Sequence, residues 1–122
     1  MGIALLSAFE HPDGVYVTIT SEMKYGKEIY CRYFNKSKNE IGAPYKTLVF
    51  PEYTVSCIRR KGAVSISLSD TAHGSYEFPV PITDRTKQEP AHFFSVCLAP
   101  LYGAGPKWLQ IAEFMEHYKI QV

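Results

Sequence analysis

The sequence predicts a mainly β fold that ends in the start of an α/β unit. Three observations carry this prediction. Aromatic residues are dominated by Tyr (9) and Phe (7) against a single Trp, a bias toward strands. Apolar and polar residues alternate with a period of two in several short segments. Near the end, one stretch has the 3.6-residue period of an amphipathic helix. The 122 residues fit one domain, or one domain and the opening of another. With 46% apolar and 20% charged residues, wholesale disorder is excluded, because enough apolar surface is available to offset chain entropy. Thirteen Lys and Arg against twelve Asp and Glu give a net charge of +1. No basic excess is present, so nucleic acid is not expected as a partner.

The elements follow in order. Residues 3–9 (IALLSAF) are apolar and run into His11-Pro12-Asp13-Gly14, where Asp-Gly marks a turn. Val15, Val17 and Ile19 then alternate with Tyr16, Thr18 and Thr20, and the two segments read as a β-hairpin. Residues 28–34 (EIYCRYF) form a third strand with Ile29, Cys31 and Tyr33 on one face. Residues 35–44 are a polar loop, and 47–50 a short strand before Pro51. Residues 53–59 (YTVSCIR) and 63–69 (AVSISLS) read as a further hairpin around the basic turn Arg60-Lys61-Gly62. Val64, Ile66 and Leu68 point inward, and Ser65, Ser67 and Ser69 outward. Arg59, Arg60 and Lys61 read as a solvated hairpin tip. Short strands at this spacing predict a β-sandwich-like module. Pro79, Pro81 and Pro90 then bracket a polar stretch. Proline lacks the N–H donor, so this region is expected to be a surface crossing or linker rather than a central strand.

Past the linker, residues 92–99 (HFFSVCLA) are almost continuously apolar, the pattern of a strand buried on both faces. Pro100 to Pro106 turn the chain. Residues 107–120 form the helix, with Trp108, Ile111, Ala112, Met115 and Tyr118 on one stripe that is expected to be core. Pro106 suits a first helical turn. Strand, turn and helix make half of a βαβ unit, and the sequence ends at Val122 before a second strand. The expectation is a chain cut within a domain, with a large apolar patch left uncovered. The domain reading is therefore 1–82 for the β-rich module, 83–91 for the linker and 92–122 for the first β-α.

Targeting signals and cysteines add little on their own. The longest early apolar run, residues 3–6, is too short for an anchor or a signal-peptide core. Leu6 stands where a myristoylation pattern wants Ser or Thr. The chain as written is thus expected to be cytosolic, or to lack its true N-terminus. Cys31, Cys57 and Cys97 lie outside any zinc-ligand spacing. They are either three buried thiols, or Cys31 and Cys57 are paired in an oxidising lumen with Cys97 left over. Asn35-Lys36-Ser37 is an N-glycosylation sequon, meaningful only in such a lumen.

One block is recognisable. Phe94-Ser95-Val96-Cys97-Leu98-Ala99-Pro100-Leu101-Tyr102-Gly103, followed by Lys107-Trp108-Leu109-Gln110 and Glu113-Phe114-Met115-Glu116-His117-Tyr118-Lys119, resembles the opening of the catalytic domain of glycosyltransferase family 92. This family was formerly a domain of unknown function, expanded in nematodes. Upstream, Ser7-Ala8-Phe9, Tyr30-Cys31-Arg32-Tyr33-Phe34 and Val55-Ser56-Cys57 look like the same family. The resemblance implies a GT-A-like, Rossmann-like catalytic domain in a Golgi membrane protein facing the lumen. It implies transfer of a hexose, galactose from UDP-galactose, to glycans, with inversion at the anomeric centre. It also implies a UDP-sugar donor and a divalent metal (Mn) for the full-length family, neither held by this chain.

The departures from that pattern set further expectations. Metal and diphosphate are generally held by Asp-x-Asp, whose hard carboxylate oxygens suit the cation. Asp13, Asp70 and Asp84 are the only aspartates, and none is paired at that spacing. Glu113 and Glu116 read as surface charge, so no carboxylate is assigned as a base. No catalytic residue and no metal ligand is therefore expected here, and the chain alone is expected to be inactive. Ligands of open α/β sheets bind beyond the carboxyl ends of strands, which places Pro100, Leu101, Tyr102 and Gly103 near the donor nucleotide by resemblance. The simpler reading of the same residues is a turn. The alternative for the whole chain is a non-catalytic β-module binding a glycan or a protein partner.

Overall fold

The computed structural model describes residues 2–87 and 89–121. The chain divides into two units, residues 1–89 and 90–122. The first unit holds seven strands: β1 (Ile3–His11), β2 (Gly14–Ser21), β3 (Glu28–Phe34), β4 (Tyr45–Leu48), β5 (Thr54–Cys57), β6 (Ser65–Ser69) and β7 (Val80–Asp84). The second holds one helix, α1 (Trp108–Gln121).

The strands form one sheet in the order β4-β3-β6-β7-β1-β2-β5. A bridge between Val49 and Val55 brings its two ends together, and Phe50 N–H donates to the Thr54 carbonyl at 2.9 Å beside it. The sandwich-like expectation therefore resolves into a nearly closed sheet, a form that leaves little unpaired edge. Inside lie Val15, Val17 and Ile19 of β2, Ile29, Cys31 and Tyr33 of β3, and Ile66 and Leu68 of β6. These are the inward positions of the period-two pattern, each worth about 1.5–3 kcal/mol when a large apolar side chain is fully buried.

The β1–β2 hairpin forms as expected, with His11 opposite Gly14. Its register shifts between Leu5 and Ser7. This bulge lets Leu6 face solvent while Ile3 and Ala8 stay in the core. The expected β5–β6 hairpin does not form. Strand β5 pairs with β2, and β6 pairs with β3. Consecutive strands separated by a tight basic turn are only biased toward pairing. Here each finds a longer partner elsewhere.

The proline-rich stretch is also a correction. Strand β7 lies in the middle of the sheet order and spans position 82. It joins β6 through Val80 and Pro81 and β1, in parallel, through Ile82 to Asp84. Ile82 N–H donates to Val64 O at 2.9 Å, and Arg85 N–H to Glu10 O at 2.7 Å. Successive backbone nitrogens alternate sides, so Pro81 directs its nitrogen toward β1. Pairing with β1 begins only at Ile82. The missing donor falls one residue ahead of that ladder and removes no bond from it.

In the second unit the apolar stretch 92–99 is not a strand. A strand buried on two faces needs paired neighbours, and no strand is described between 90 and 121 to supply one. The helix forms as predicted, within a residue at its ends. No residue of α1 is buried, so its apolar stripe is not core. Trp108 is 68% exposed, and Ile111 and Met115 are also exposed.

Candidate functional site

The residues of chemical interest fall at separate places, and each is built by a different element. The first is the segment leading into α1. Gly103 (φ 101°) and Gly105 (φ 93°) occupy the left-handed region that favours glycine. They turn the chain ahead of the helix. Lys107 Nζ donates to the Ala104 carbonyl at 3.2 Å, and Ile111 N–H donates to the Lys107 carbonyl at 3.1 Å. The helix therefore starts after Lys107, and Pro106 precedes its first turn. Lys119 in the last turn complements the helix dipole and pairs with Glu116 at 3.2 Å. Pro100, Leu101, Tyr102 and Gly103 lie in this irregular, exposed segment, with Tyr102 85% exposed. They do not cap a strand, because residues 92–99 form none.

The second place is the closure of the sheet. Cys31 of β3 and Cys57 of β5 are joined in a disulfide, with Cα atoms 6.2 Å apart. The two strands lie near opposite ends of the sheet order, so the bond crosses the closing interior. Cys97 is exposed and carries a free thiol.

The third place is a buried charge that the sequence reading missed. Arg32 of β3 is only 5% exposed. Its guanidinium forks onto Glu40, Nε to Oε1 at 2.5 Å and Nη2 to Oε2 at 2.9 Å. Nη1 donates to the Gly74 carbonyl at 2.8 Å and to Ser69 Oγ at 3.2 Å. The same cation lies 5.1 Å from the centre of the Tyr76 ring. Arg32 thus ties the 35–40 loop and the 70–78 segment to the outer face of β3. The hydrogen bonds it donates hold the Glu40 carboxyl below the usual range, and the guanidinium charge adds to them. The covered outer face also corrects the serine reading. Ser67 and Ser69 are fully buried, Ser67 Oγ donating to the Glu77 carbonyl and Ser69 Oγ to the Thr71 carbonyl at 2.7 Å. The signal available in the sequence was a lone arginine in the middle of an apolar strand.

The basic turn is only partly a solvated tip: Arg59 and Lys61 are exposed, while Arg60 is half-buried. Arg59 Nε pairs with Glu10 at 3.0 Å. Arg60 stacks on Tyr33, 4.1 Å from the ring centre, and donates to the carbonyls of Ile41 and Ala43. Tyr33 OH donates to the Ile58 carbonyl at 2.6 Å, and burial pushes its pKa up to about 12, against the pull of the Arg60 cation.

Beyond this layer a groove of about 480 Å³ opens on the first unit. Phe34 and Tyr76 form one wall, their ring centres 4.9 Å apart. Val64, Phe78, Pro79 and Pro81 add further apolar lining, and Asn35, Lys36, Lys38 and Ser65 polar lining. Phe78 is 89% exposed and Tyr76 45%. Asn35 Oδ1 accepts the N–H groups of Ser37 and Asn39, both at 3.0 Å, so the asparagine closes its own turn.

The carboxylates do not converge. Asp13 accepts from Tyr16 OH at 2.8 Å in the β1–β2 turn, and Asp84 accepts from Thr86 N–H at 2.8 Å. Among the described residues, no group of three or more His, Cys, Asp or Glu is placed to hold a metal ion. The residues present do not fit the divalent cation that the resemblance implies for the full-length family, and no step through a metal is assigned to this chain. No described helix is long and apolar enough to cross a membrane.

No curated protein and no solved structure matches the chain. The irregular segment, the glycine turn and the helix are another matter: the model of glycosyltransferase family 92 matches residues 92–121, about a quarter of the chain and the segment that carries the specific block of the resemblance.

Proposed function

We propose that this chain serves glycosyl transfer as part of a family 92 glycosyltransferase, in which the β-rich unit precedes the catalytic domain and residues 92–121 open it. The match over 92–121 carries this reading. The reaction is transfer of a hexose, galactose from UDP-galactose, to a glycan acceptor. Pro100, Leu101, Tyr102 and Gly103, inside the matched segment, face the nucleotide in the assembled catalytic domain. The chain alone supplies no catalysis, a reading supported by its dispersed carboxylates: an inverting transfer needs a base at the acceptor hydroxyl and stabilisation of the leaving diphosphate. The setting is the lumenal side of the Golgi membrane. The Cys31–Cys57 disulfide supports it, since such bonds persist in oxidising compartments.

The test is to sequence transcripts across both ends of the reading frame and to assay the encoded protein for transfer from UDP-galactose to glycans. Extension into an Asp-x-Asp-containing βαβ pattern, with transfer by the longer protein and none by the 122-residue chain, is the expected outcome. Transfer by the 122-residue chain itself would overturn the assignment of inactivity. Transcripts ending at Met1 and Val122 would replace the enzyme reading with a non-catalytic β-module.

A further inference from the structure

The aromatic groove and the sequon meet at Asn35. We propose that Asn35 carries an N-linked glycan whose first N-acetylglucosamine lies in the groove, against Phe78 and Tyr76. The inference rests on the lumenal setting proposed above and not on glycosyl transfer.

Asn35 itself lines the groove. Its Oδ1 is held by two backbone N–H groups, which fixes the plane of the amide. Among the described residues its Nδ2 donates no hydrogen bond. Ser37 supplies the hydroxyl that the sequon requires two residues on. In the modification, a bond forms between Nδ2 and C1 of the sugar. The C1–O bond to the diphosphate of a lipid-linked oligosaccharide donor breaks, the diphosphate leaves with the electron pair, and the amide gives up one proton. No oxidant or reductant is involved.

The groove suits what would be placed there. A pyranose has a face of C–H groups and an edge of hydroxyls. The electron-rich faces of Phe78 and Tyr76 attract C–H groups, and Lys36, Lys38 and Ser65 among the lining residues offer hydrogen-bond partners. A volume of about 480 Å³ lies within the range of small-ligand sites. Phe78, with 89% of its surface in water, gains most from being covered. Tethering decides between an attached sugar and a diffusing one. A sugar bonded to Asn35 is held beside the groove at an effective concentration that makes weak stacking sufficient.

The experiment uses the whole chain expressed in a secretory host, read by intact mass and thermal unfolding before and after enzymatic removal of glycans. Wild type is expected to carry one glycan and to lose several degrees of Tm when it is removed. Ser37→Ala keeps Asn35 and its two accepted N–H bonds. It is expected to lose the glycan mass and to unfold where deglycosylated wild type does. Phe78→Ala, at an exposed position, is expected to keep the glycan but show no Tm change on its removal. Absence of a glycan from Asn35 overturns the proposal. So does an equal Tm change in wild type and Phe78→Ala. A free N-acetylglucosamine disaccharide that binds glycosylated wild type as tightly as Ser37→Ala also overturns it, because the groove would then serve a diffusing sugar. Transfer activity is untouched by any of these results, so this proposal and the functional reading fail separately.

Discussion

At the scale of the residue, Arg32 explains how the outer face of β3 is covered. A guanidinium with so little exposure is tolerated because a carboxylate, a carbonyl and a hydroxyl meet its donors. Removing one partner is more damaging than replacing the pair, since a buried charge is left short of acceptors. Glu40→Gln is expected to lower stability by about 1–2 kcal/mol at neutral pH, the carboxylate being partly open to solvent. Glu40 titrates lower in the fold than its ordinary value of 4.5. Its contribution is therefore complete above about that pH and is lost as pH falls through the folded value. Urea unfolding at neutral pH and near pH 3 checks this. The gap between wild type and Glu40→Gln should narrow in acid, and a gap constant with pH would remove the charge from the explanation. This same cluster shows where the sequence was illegible. Alternation placed Ser67 and Ser69 opposite the core correctly, but the pattern has no means of showing that residues 70–78 fold back over that opposite face.

At the scale of the element, the strands were legible wherever one face alone is buried. Strands β2 and β3 lie within a residue of the segments that alternation marks. Pairing partners were less legible, because a strand's period says which face is inward and not which neighbour lies beside it. Thus β5 and β6, adjacent in sequence, sit apart in the sheet, and β7 enters the centre despite Pro81. The Cys31–Cys57 bond matters at this scale. It links β5 at one end of the sheet order to β3, next to the other end, across 26 positions of sequence. In the chain-entropy account, closing a loop of that length restricts the unfolded state by about 3.5 kcal/mol. The double substitution Cys31→Ala, Cys57→Ala is expected to lose roughly that amount of unfolding free energy, measured in guanidinium. Loss of well under 1 kcal/mol would mean that the paired strands hold the closure without it.

At the scale of the whole molecule, the two units differ in how they are stabilised. Residues 1–89 hold the buried core. The unit at 90–122 has a helix with no buried residue, and a helix of this length is marginal in water without packing. The helix was legible because its period is local. The missing strand was not, since the apolar run 92–99 specifies burial but supplies no neighbour to pair with. Phe93, Phe94, Trp108, Ile111, Met115 and Ile120 consequently present apolar surface to solvent, more than isolated exposed residues would. Within this unit a shallow cleft of about 310 Å³ is lined by Phe94, Val96, Phe114, Met115 and Tyr118. The chain is expected to bind an apolar fluorescent dye such as ANS in its native state. The paired substitution Ile111→Lys, Met115→Lys should reduce that fluorescence severalfold and leave the thermal midpoint of the β unit unchanged. Dye binding that persists through both substitutions would place the accessible apolar surface elsewhere. A β-unit midpoint that falls with them would show that the helix face contributes to the core's stability.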